Sequence, residues 1–205
     1  MQNTEQTTQE KILCAAKAEF LEKGFQTASL RAIVKAAGVT TGALYGYYGS
    51  KEALFDALVE ECYTHFLSSY RNALDDFDRL PIEQQPERMS TVSQACLEEL
   101  LLYMFNHREA FHLLLLCSEG THYSSMKEEL VQLEVNAAHR YYLVLKKLGT
   151  PAPQIDPRLE HILVTGLMNA YFEMIIHDMP LTDAQQYLRE LHSFYSAGWL
   201  KIMGQ

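Results

Sequence analysis

The sequence predicts an all-α protein in which an N-terminal three-helix domain with a helix-turn-helix precedes a larger helical domain. Three observations predict it. Apolar residues recur at helical spacing along the chain, strand-like alternation is absent, and one stretch of short helices is interrupted by a glycine turn. With 205 residues, 48% of them hydrophobic, the chain is long enough to bury a core in each of two domains. We expect about nine helices and place the domain boundary between residues 1–51 and 52–205.

The first helix is predicted to begin after Thr7 and to end at Gly24. Thr7 and Glu10 have the spacing of a capping box, in which each side chain satisfies a free backbone N–H at the helix start. Gly24 is a favourable C-terminal stop, and Phe25 is expected to fold back as an apolar contact.

Two short helices follow and are separated by a turn. Apolar side chains at residues 30–34 predict the first, which we expect to end near Gly38, where the backbone must turn. Thr40 is suited to cap the second helix, over residues 41–47, in which only Leu44 clearly faces inward. A short helix with so few apolar residues is not a core helix.

Ser50 is predicted to cap a long helix that extends to about residue 77. Pro81 and Pro86 bracket the first interruption, and Pro151 and Pro153 mark a later one. The remaining helices are predicted over residues 87–105, 108–117, 124–148, 157–177 and 182–203, the last capped by Thr182 or Asp183.

The helix-turn-helix stretch resembles the TetR family of bacterial transcriptional regulators. The matching motifs are Ala37-Gly38-Val39-Thr40, Leu44-Tyr45-Gly46-Tyr47-Tyr48 and Ser50-Lys51-Glu52-Ala53-Leu54. The resemblance extends back to Ile12 through Gly24-Phe25, so it covers about the first quarter of the chain, and it is specific because many positions agree in register. Two positions depart from the family pattern: Val34 stands where alanine is usual, and Tyr48 stands where phenylalanine is commonest. Neither departure changes the polarity of its position enough to oppose the resemblance.

The resemblance implies a ligand-responsive transcriptional regulator, a repressor, that binds a palindromic operator as a homodimer and is released by a small organic effector. It implies no enzymatic activity, and the sequence offers no nucleophile beside a base, no paired carboxylates and no cofactor loop. An alternative from another class is an all-helical small-molecule-binding or scaffold protein with a vestigial helix-turn-helix. Binding to a palindromic duplex would separate the two hypotheses.

The charge distribution agrees with an N-terminal DNA contact; ordinary solvated charge explains it equally well, and it is the motif that favours DNA. The chain has a net charge of -9, but residues 1–51 carry six lysine or arginine side chains against four glutamates. The remainder carries eleven basic against twenty-two acidic side chains, so it would repel DNA and leave the first domain to touch it.

We expect the helix over residues 41–47 to dock its N-terminal end against base edges in the major groove. Threonine and tyrosine hydroxyls suit phosphate and base acceptors, small residues permit close approach, and a lysine at the next helix start suits a phosphate. The candidate DNA contacts are Thr27, Arg31, Thr40, Thr41, Gly42, Ala43, Tyr45, Tyr47 and Lys51. For Arg31 a solvated surface charge remains an alternative, and Leu44 and Tyr48 are expected to hold the helix in place.

The last two helices are apolar enough to pair across a two-fold axis, as the resemblance implies, in a four-helix bundle. Packing inside one subunit remains the alternative for some of their residues. The candidate interface residues are Ile162, Leu163, Gly166, Ala170, Leu188, Leu191, Tyr195, Gly198 and Trp199.

The larger domain is predicted to bind a mainly apolar or aromatic effector, because its helices carry aromatic and methionine side chains with a few polar tips. An ordinary core is the alternative for each of them. The candidate ligand-binding residues are Tyr63, Phe66, Tyr70, Tyr103, Met104, Phe111, His112, Tyr141 and Tyr142.

Other classes of protein find little support in the sequence. Its apolar runs are shorter than the ~20 residues that span a bilayer, and no secretory signal precedes them, so we expect a cytoplasmic protein with no membrane partner. The four cysteines lack C-x-x-C spacing and are expected to be reduced and buried. His107, His112, Cys117 and His122 are five residues apart, which places neighbours on different helix faces. We therefore expect no metal and no cofactor.

Overall fold

The computed structural model describes residues 7–150 and 155–204, and these form an all-helical fold. Over those residues there are nine α-helices, one short 3-10 helix and no strand, which confirms the predicted fold class. The helices are α1 (Thr8–Thr27), α2 (Leu30–Ala37), α3 (Thr41–Tyr47), α4 (Lys51–Asp78), α5 (Gln85–Asn106), α6 (Arg108–Leu116), α7 (Met126–Lys147), α8 (Pro157–Ile176) and α9 (Leu181–Ile202).

Local capping chemistry sets most of the N-terminal helix starts. The Thr7 hydroxyl accepts from the Glu10 N–H at 3.2 Å, and the Glu10 carboxylate accepts from the Thr7 N–H at 2.7 Å, which confirms the capping box. Thr40 and Ser50 cap α3 and α4 as predicted, each accepting a backbone N–H at 3.1 Å. Gly38 adopts φ +67° between α2 and α3, a left-handed conformation that favours glycine.

The junction between α1 and α2 differs from the prediction. Gly24, at φ +71°, breaks the helix, but helical turns resume and α1 reaches Thr27. Thr27, a candidate DNA contact, is the last residue of α1, and its hydroxyl donates to the Lys23 carbonyl. Ser29 caps α2 because its side chain, not that of Thr27, accepts the Ala32 N–H.

Proline explains two further differences in helix bounds. Pro86 lies inside the first turn of α5 instead of before it, where a missing N–H costs no helical hydrogen bond. Helix α9 is capped by Pro180 and begins at Leu181, one residue before the predicted cap Thr182. The predicted break at Pro151 and Pro153 lies outside the described residues.

The chain forms two compact units whose boundary is not the predicted one. The first unit comprises the described residues up to Thr64 together with His107–Ser124, and the second comprises His65–Asn106 and the described residues from Ser125 onward. The start of α4 belongs to the first unit because Phe55 packs edge-on against Phe20, with ring centroids 5.1 Å apart. Assignment of DNA binding to residues 1–51, and of effector binding and dimerisation to residues 52–205, remains a prediction.

Helix α6 joins the first unit through contacts with α1 that lie far apart in sequence. The Phe25 N–H donates to the Cys117 carbonyl at 2.8 Å, and Lys17 pairs with Glu109 at 2.5 Å. Phe25 itself is buried, as predicted. The helix-turn-helix and α6 therefore belong to one unit, which has an aromatic core.

Not all cysteines are buried as predicted. Cys62 and Cys117 are buried, whereas Cys96 is half-buried and Cys14 is exposed. Cys14 is exposed because it lies between Ile12 and Ala16, the inward-facing residues of α1, and so points away from their face. None of the helices that the structure describes is long and apolar enough to cross a bilayer.

Candidate functional site

Helix α3 divides its side chains between the core and the solvent. Leu44 is completely buried and Tyr48, the C-cap residue, is 6% exposed, as expected for residues that hold the helix in place. Tyr45 and Tyr47 are 52% and 51% exposed. Two large aromatic side chains on so short a helix therefore face outward and contribute little to the core.

The N-terminal turn of α3 is open and free of bulky side chains. Thr40, Thr41 and Gly42 are exposed, and Ala43 is half-buried. A Cβ placed on Gly42 would meet only the Thr40 Oγ1, at 3.9 Å, which is ordinary contact. The fold of this chain therefore does not require glycine at position 42.

Lys51 stabilises the first unit as well as lying beside α3. Its Nζ donates to the carbonyls of Gln26 at 3.1 Å and Ala28 at 3.3 Å, and it lies 4.6 Å from the centroid of the Phe25 ring. An ammonium has three N–H donors, so one remains for a phosphate. Sequence reasoning predicted only the phosphate contact, because the carbonyls are more than twenty residues away and no motif marks them.

A buried carboxylate joins α1 to the start of α2 behind this surface. Glu19 accepts the Ser29 N–H at 3.0 Å and the Lys23 ammonium at 3.1 Å. The backbone hydrogen bond from Ser29 is the main reason that the Glu19 pKa lies below its ordinary value. Sequence analysis did not identify Glu19. Arg31 and Thr27 are exposed, and their contacts with DNA remain predictions.

The second unit contains a cavity of about 140 Å³. Side chains from α4, α5, α7, α8 and α9 line it, with Met203 just beyond α9. Of the nine predicted ligand-binding residues, Tyr70 and Tyr141 line this cavity. Trp199, predicted at the dimer interface, also lines it, because α9 turns that face inward.

The other seven predicted ligand-binding residues do not line the cavity. Phe66 and Met104 are buried in the second unit. Three of the seven belong to the first unit, where Phe111 is buried and Tyr63 packs edge-on against Tyr123 at 4.9 Å: Tyr63, Phe111 and His112. The remaining two have other neighbours: Tyr103 packs against His65 at 4.1 Å, and Tyr142 packs near His139 at 6.4 Å. Helical spacing alone therefore did not distinguish aromatic residues of the core from aromatic residues that line the cavity.

Glu134 is the charged side chain of the cavity wall, and sequence analysis missed it. The Tyr70 hydroxyl donates to Glu134 Oε2 at 2.5 Å. Burial raises the Glu134 pKa above its ordinary value, although the hydrogen bond from Tyr70 acts in the opposite direction. Burial and the nearby Glu134 also raise the pKa of the Cys96 thiol, another cavity residue, to about 12. Glu134 as a whole is half-buried.

Helices α8 and α9 expose only part of the predicted dimer surface. Ile162 is 64% exposed, and the backbone at Gly198 is open, with no atom within 4 Å of an added Cβ. Leu188 is completely buried within its own unit and cannot reach a partner, which corrects that prediction. A Cβ on Gly166 would lie 2.8 Å from the Tyr195 hydroxyl, so Gly166 serves packing between α8 and α9.

The exposed face of α9 includes two aromatic residues that sequence analysis missed. Phe194 is 73% exposed and Tyr187 is 49% exposed. They lie at helical spacing from Leu191 and Gly198, so all four share one stripe. That spacing was visible in the sequence and could have identified them.

Comparisons with known proteins place the N-terminal region in one family. The family model for "Bacterial regulatory proteins, tetR family" matches residues 12–58. The HTH-type transcriptional regulator UidR of Escherichia coli strain K12 is 37% identical over 75 residues, covering 37% of this chain and 38% of UidR. The HTH-type regulator YvdT of Bacillus subtilis, itself uncharacterized, is 34% identical over 111 residues, covering 54% of this chain and 51% of YvdT.

The similarity of fold extends over most of the chain. The crystal structure of NalD, the secondary repressor of the MexAB-OprM multidrug efflux pump in Pseudomonas aeruginosa, superposes with a TM-score of 0.57 at 24% identity. That superposition covers 93% of this chain and 95% of NalD, and it shows a shared fold. The alignments with UidR and YvdT span only 38% and 51% of those relatives. The N-terminal region of the chain, residues 12–58, is therefore that of the TetR family of bacterial regulatory proteins.

Proposed function

We propose that this protein is a ligand-responsive transcriptional repressor that binds a palindromic operator as a homodimer and is released by a small organic effector. The observation that carries the proposal is the division of α3, which buries Leu44 and Tyr48 while exposing Thr41, Tyr45 and Tyr47. A helix held by one buried edge and open on the other is suited to the major groove.

The contacts proposed for α3 follow from its chemistry. Tyr45 and Tyr47 are long enough to reach backbone phosphates, whereas Thr41 is placed at the N-terminal turn, where base edges are read. The helix has no arginine, asparagine or glutamine, so few bidentate contacts with bases are available. We propose that DNA shape and bound water supply part of the specificity.

The dimer is proposed to form through the exposed stripe of α9, Tyr187, Leu191, Phe194 and Gly198, together with Ile162 of α8. Large exposed apolar side chains in a continuous stripe are typical of an interaction surface. A two-fold dimer matches a palindromic operator, because each subunit then meets one half-site. The operator lies in the cytoplasm of a bacterium, where we propose that the protein acts.

Fluorescence anisotropy with a labelled duplex tests the DNA-binding part of the proposal. The duplex is taken from an inverted repeat beside the coding region, and a scrambled duplex is measured at the same salt concentration. We expect specific binding, lost in Thr41→Ala and weakened on both duplexes in Tyr47→Phe. Thr182→Ala, an exposed threonine on α9, is the matched control and should bind like the wild type.

Failure to bind any inverted repeat from the flanking DNA would contradict the proposal. If the cavity binds small molecules in that case, the chain is better described as a helical binding protein with a vestigial helix-turn-helix. For a true effector, coupling is reciprocal, so the compound must bind the operator-bound dimer less tightly by the factor by which it weakens operator binding.

A further inference from the structure

We infer that the cavity of the second unit binds small organic monocations: one aromatic or alicyclic ring carrying a single ammonium group, with the Glu134 carboxylate as its counter-charge. This inference deepens the proposed function by naming the class of ligand. It rests on the proposed function only for the consequence that such a cation releases the protein from its operator. The binding site itself does not depend on that consequence.

The described part of the cavity wall carries a negative charge, that of Glu134. Among the described residues that line it there is one carboxylate and no lysine, arginine or histidine. An anionic ligand would face Glu134 without a compensating base. A neutral ligand can donate a hydrogen bond in place of the displaced water, but it leaves the charge of the carboxylate uncompensated. Only a ligand with a positive group provides the charge that the wall lacks.

Glu134 is held in the cavity wall by a hydrogen bond from Tyr70. Tyr70 donates one hydrogen to Oε2, which fixes the carboxylate in place. An ionised carboxylate can accept about four hydrogen bonds, so Glu134 has further capacity for an ammonium. Burial raises the pKa of Glu134, which means that the charged form is costly in the empty protein. A cation that pairs with a desolvated carboxylate and occupies its remaining acceptor positions offsets that cost.

The basic side chain that acts on Glu134 has another partner. The positive charge of Arg140 lowers the Glu134 pKa, but Arg140 is not among the residues that line the cavity. Arg140 Nε donates to Asp78 Oδ2 at 2.5 Å, and its side chain is 46% exposed. The guanidinium is therefore paired with Asp78, and it is not among the described residues that line the cavity beside Glu134.

The rings of the wall and the cavity size define the rest of the ligand. Tyr70, Phe77, Tyr141 and Trp199 all line the cavity, and aromatic faces attract cations. A volume of about 140 Å³ is close to the ~150 Å³ apolar cavity that accommodates benzene. One ring with a short ammonium arm is thus the size that fits.

Tryptophan fluorescence provides a direct test, because Trp199 is the only tryptophan of the chain and lies in the cavity wall. The probes are benzylammonium, benzyl alcohol and benzoate at neutral pH, which share one ring and differ in charge. We expect the full-length protein to bind benzylammonium roughly tenfold more tightly than benzyl alcohol and to bind benzoate most weakly.

Glu134→Gln should abolish the preference for benzylammonium while leaving the affinity for benzyl alcohol unchanged. Glu128→Gln, an exposed acid on the same helix, is the control and should retain the preference. Equal affinities for the three probes in the wild type, or a preference that survives in Glu134→Gln, would overturn the inference. If Glu134→Gln does not fold, the ranking of the three probes by the wild type still decides.

A second measurement separates this inference from the proposed function. Operator binding is titrated with benzylammonium and with benzyl alcohol. If the protein binds no operator but shows the preference for the cation, the repressor proposal fails and the cavity assignment stands. If it binds its operator and shows no preference among the probes, only the cavity assignment fails.

Discussion

The Lys51 ammonium lies 4.6 Å from the centroid of the Phe25 ring and donates to two carbonyls at the end of α1. The C-terminal end of a helix has carbonyls without intrahelical partners and a partial negative charge. A lysine ammonium donates hydrogen bonds to these carbonyls and compensates the charge. Lys51, predicted from the sequence as a phosphate contact, therefore also holds the start of α4 to the end of α1. Its substitution should affect folding as well as DNA binding.

Lys51→Met is expected to destabilise the protein by about 1–2 kcal/mol, because it removes two charge-assisted hydrogen bonds and a contact with an aromatic ring. Urea unfolding followed by circular dichroism measures the loss. Lys35→Met, an exposed lysine of α2, is the control and should unfold like the wild type. Identical midpoints for the two variants would show that Lys51 has no structural role.

Gly42→Ala is expected to separate stability from DNA binding. Alanine is favoured over glycine inside a helix by roughly 0.5–1 kcal/mol, and the added Cβ meets only the Thr40 Oγ1 at 3.9 Å, so the variant should be more stable. If the turn lies against DNA, the same methyl should weaken operator binding about tenfold, the effect of losing one contact.

The comparison for Gly42→Ala is Gly46→Ala, one turn further along α3. An added Cβ there meets no atom within 4 Å, so a similar gain in stability is expected. Its effect on operator binding should be smaller, since the N-terminal end of α3 is proposed to dock. A Gly42→Ala protein that binds the operator as tightly as the wild type would rule out close approach at this turn.

What could be predicted from the sequence depended on short-range chemistry. Thr7, Thr40 and Ser50 were identified as caps because a cap involves only residues two or three positions away. Tyr70 and Glu134 are 64 residues apart, and no local pattern links them. The cavity they line depends on how five helices pack, which helical spacing alone does not determine.

The residues of the proposed dimer surface could also not be predicted from helical spacing alone. The spacing along α8 and α9 predicted an apolar face, but it could not tell which apolar residues face the core. Leu188 is buried and Phe194 is exposed, although both are large apolar residues of one helix. Only the packing of α9 in its own unit distinguishes them.

Glu19→Gln is expected to lower stability at neutral pH by about 1–3 kcal/mol, because the charged acceptor for Ser29 and Lys23 is lost. The sign of the pH dependence follows from the lowered pKa of Glu19. The folded protein binds its proton less readily than the unfolded chain, so this stabilisation is complete above the ordinary value of 4.5. It is lost as the pH falls below 4.5 and through the lower pKa of the folded state.

The difference in unfolding free energy between wild type and Glu19→Gln should therefore be full at pH 7 and should decrease as the pH falls below about 4.5. Urea unfolding at a series of pH values measures it. Glu22→Gln, an exposed acid on the same helix, controls for the general loss of a negative charge. A difference that stays constant across the series would show that the Glu19 carboxylate does not contribute through its charge.

Phe194→Glu is expected to dissociate the proposed dimer without unfolding the subunit. The side chain is 73% exposed in the subunit, so a glutamate there remains solvated in the monomer. In the dimer the same carboxylate would be buried among apolar side chains without a partner, at a cost of several kcal/mol. That cost corresponds to an increase of at least about 100-fold in the dimer dissociation constant.

Sedimentation velocity over a range of concentrations measures the shift. Leu116→Glu changes a leucine of the first unit that is 55% exposed, and it should leave the dimer intact. Operator binding should fall with the dimer population, because one half-site holds a monomer weakly. A Phe194→Glu protein that sediments as the wild-type dimer would place the interface away from this stripe of α9.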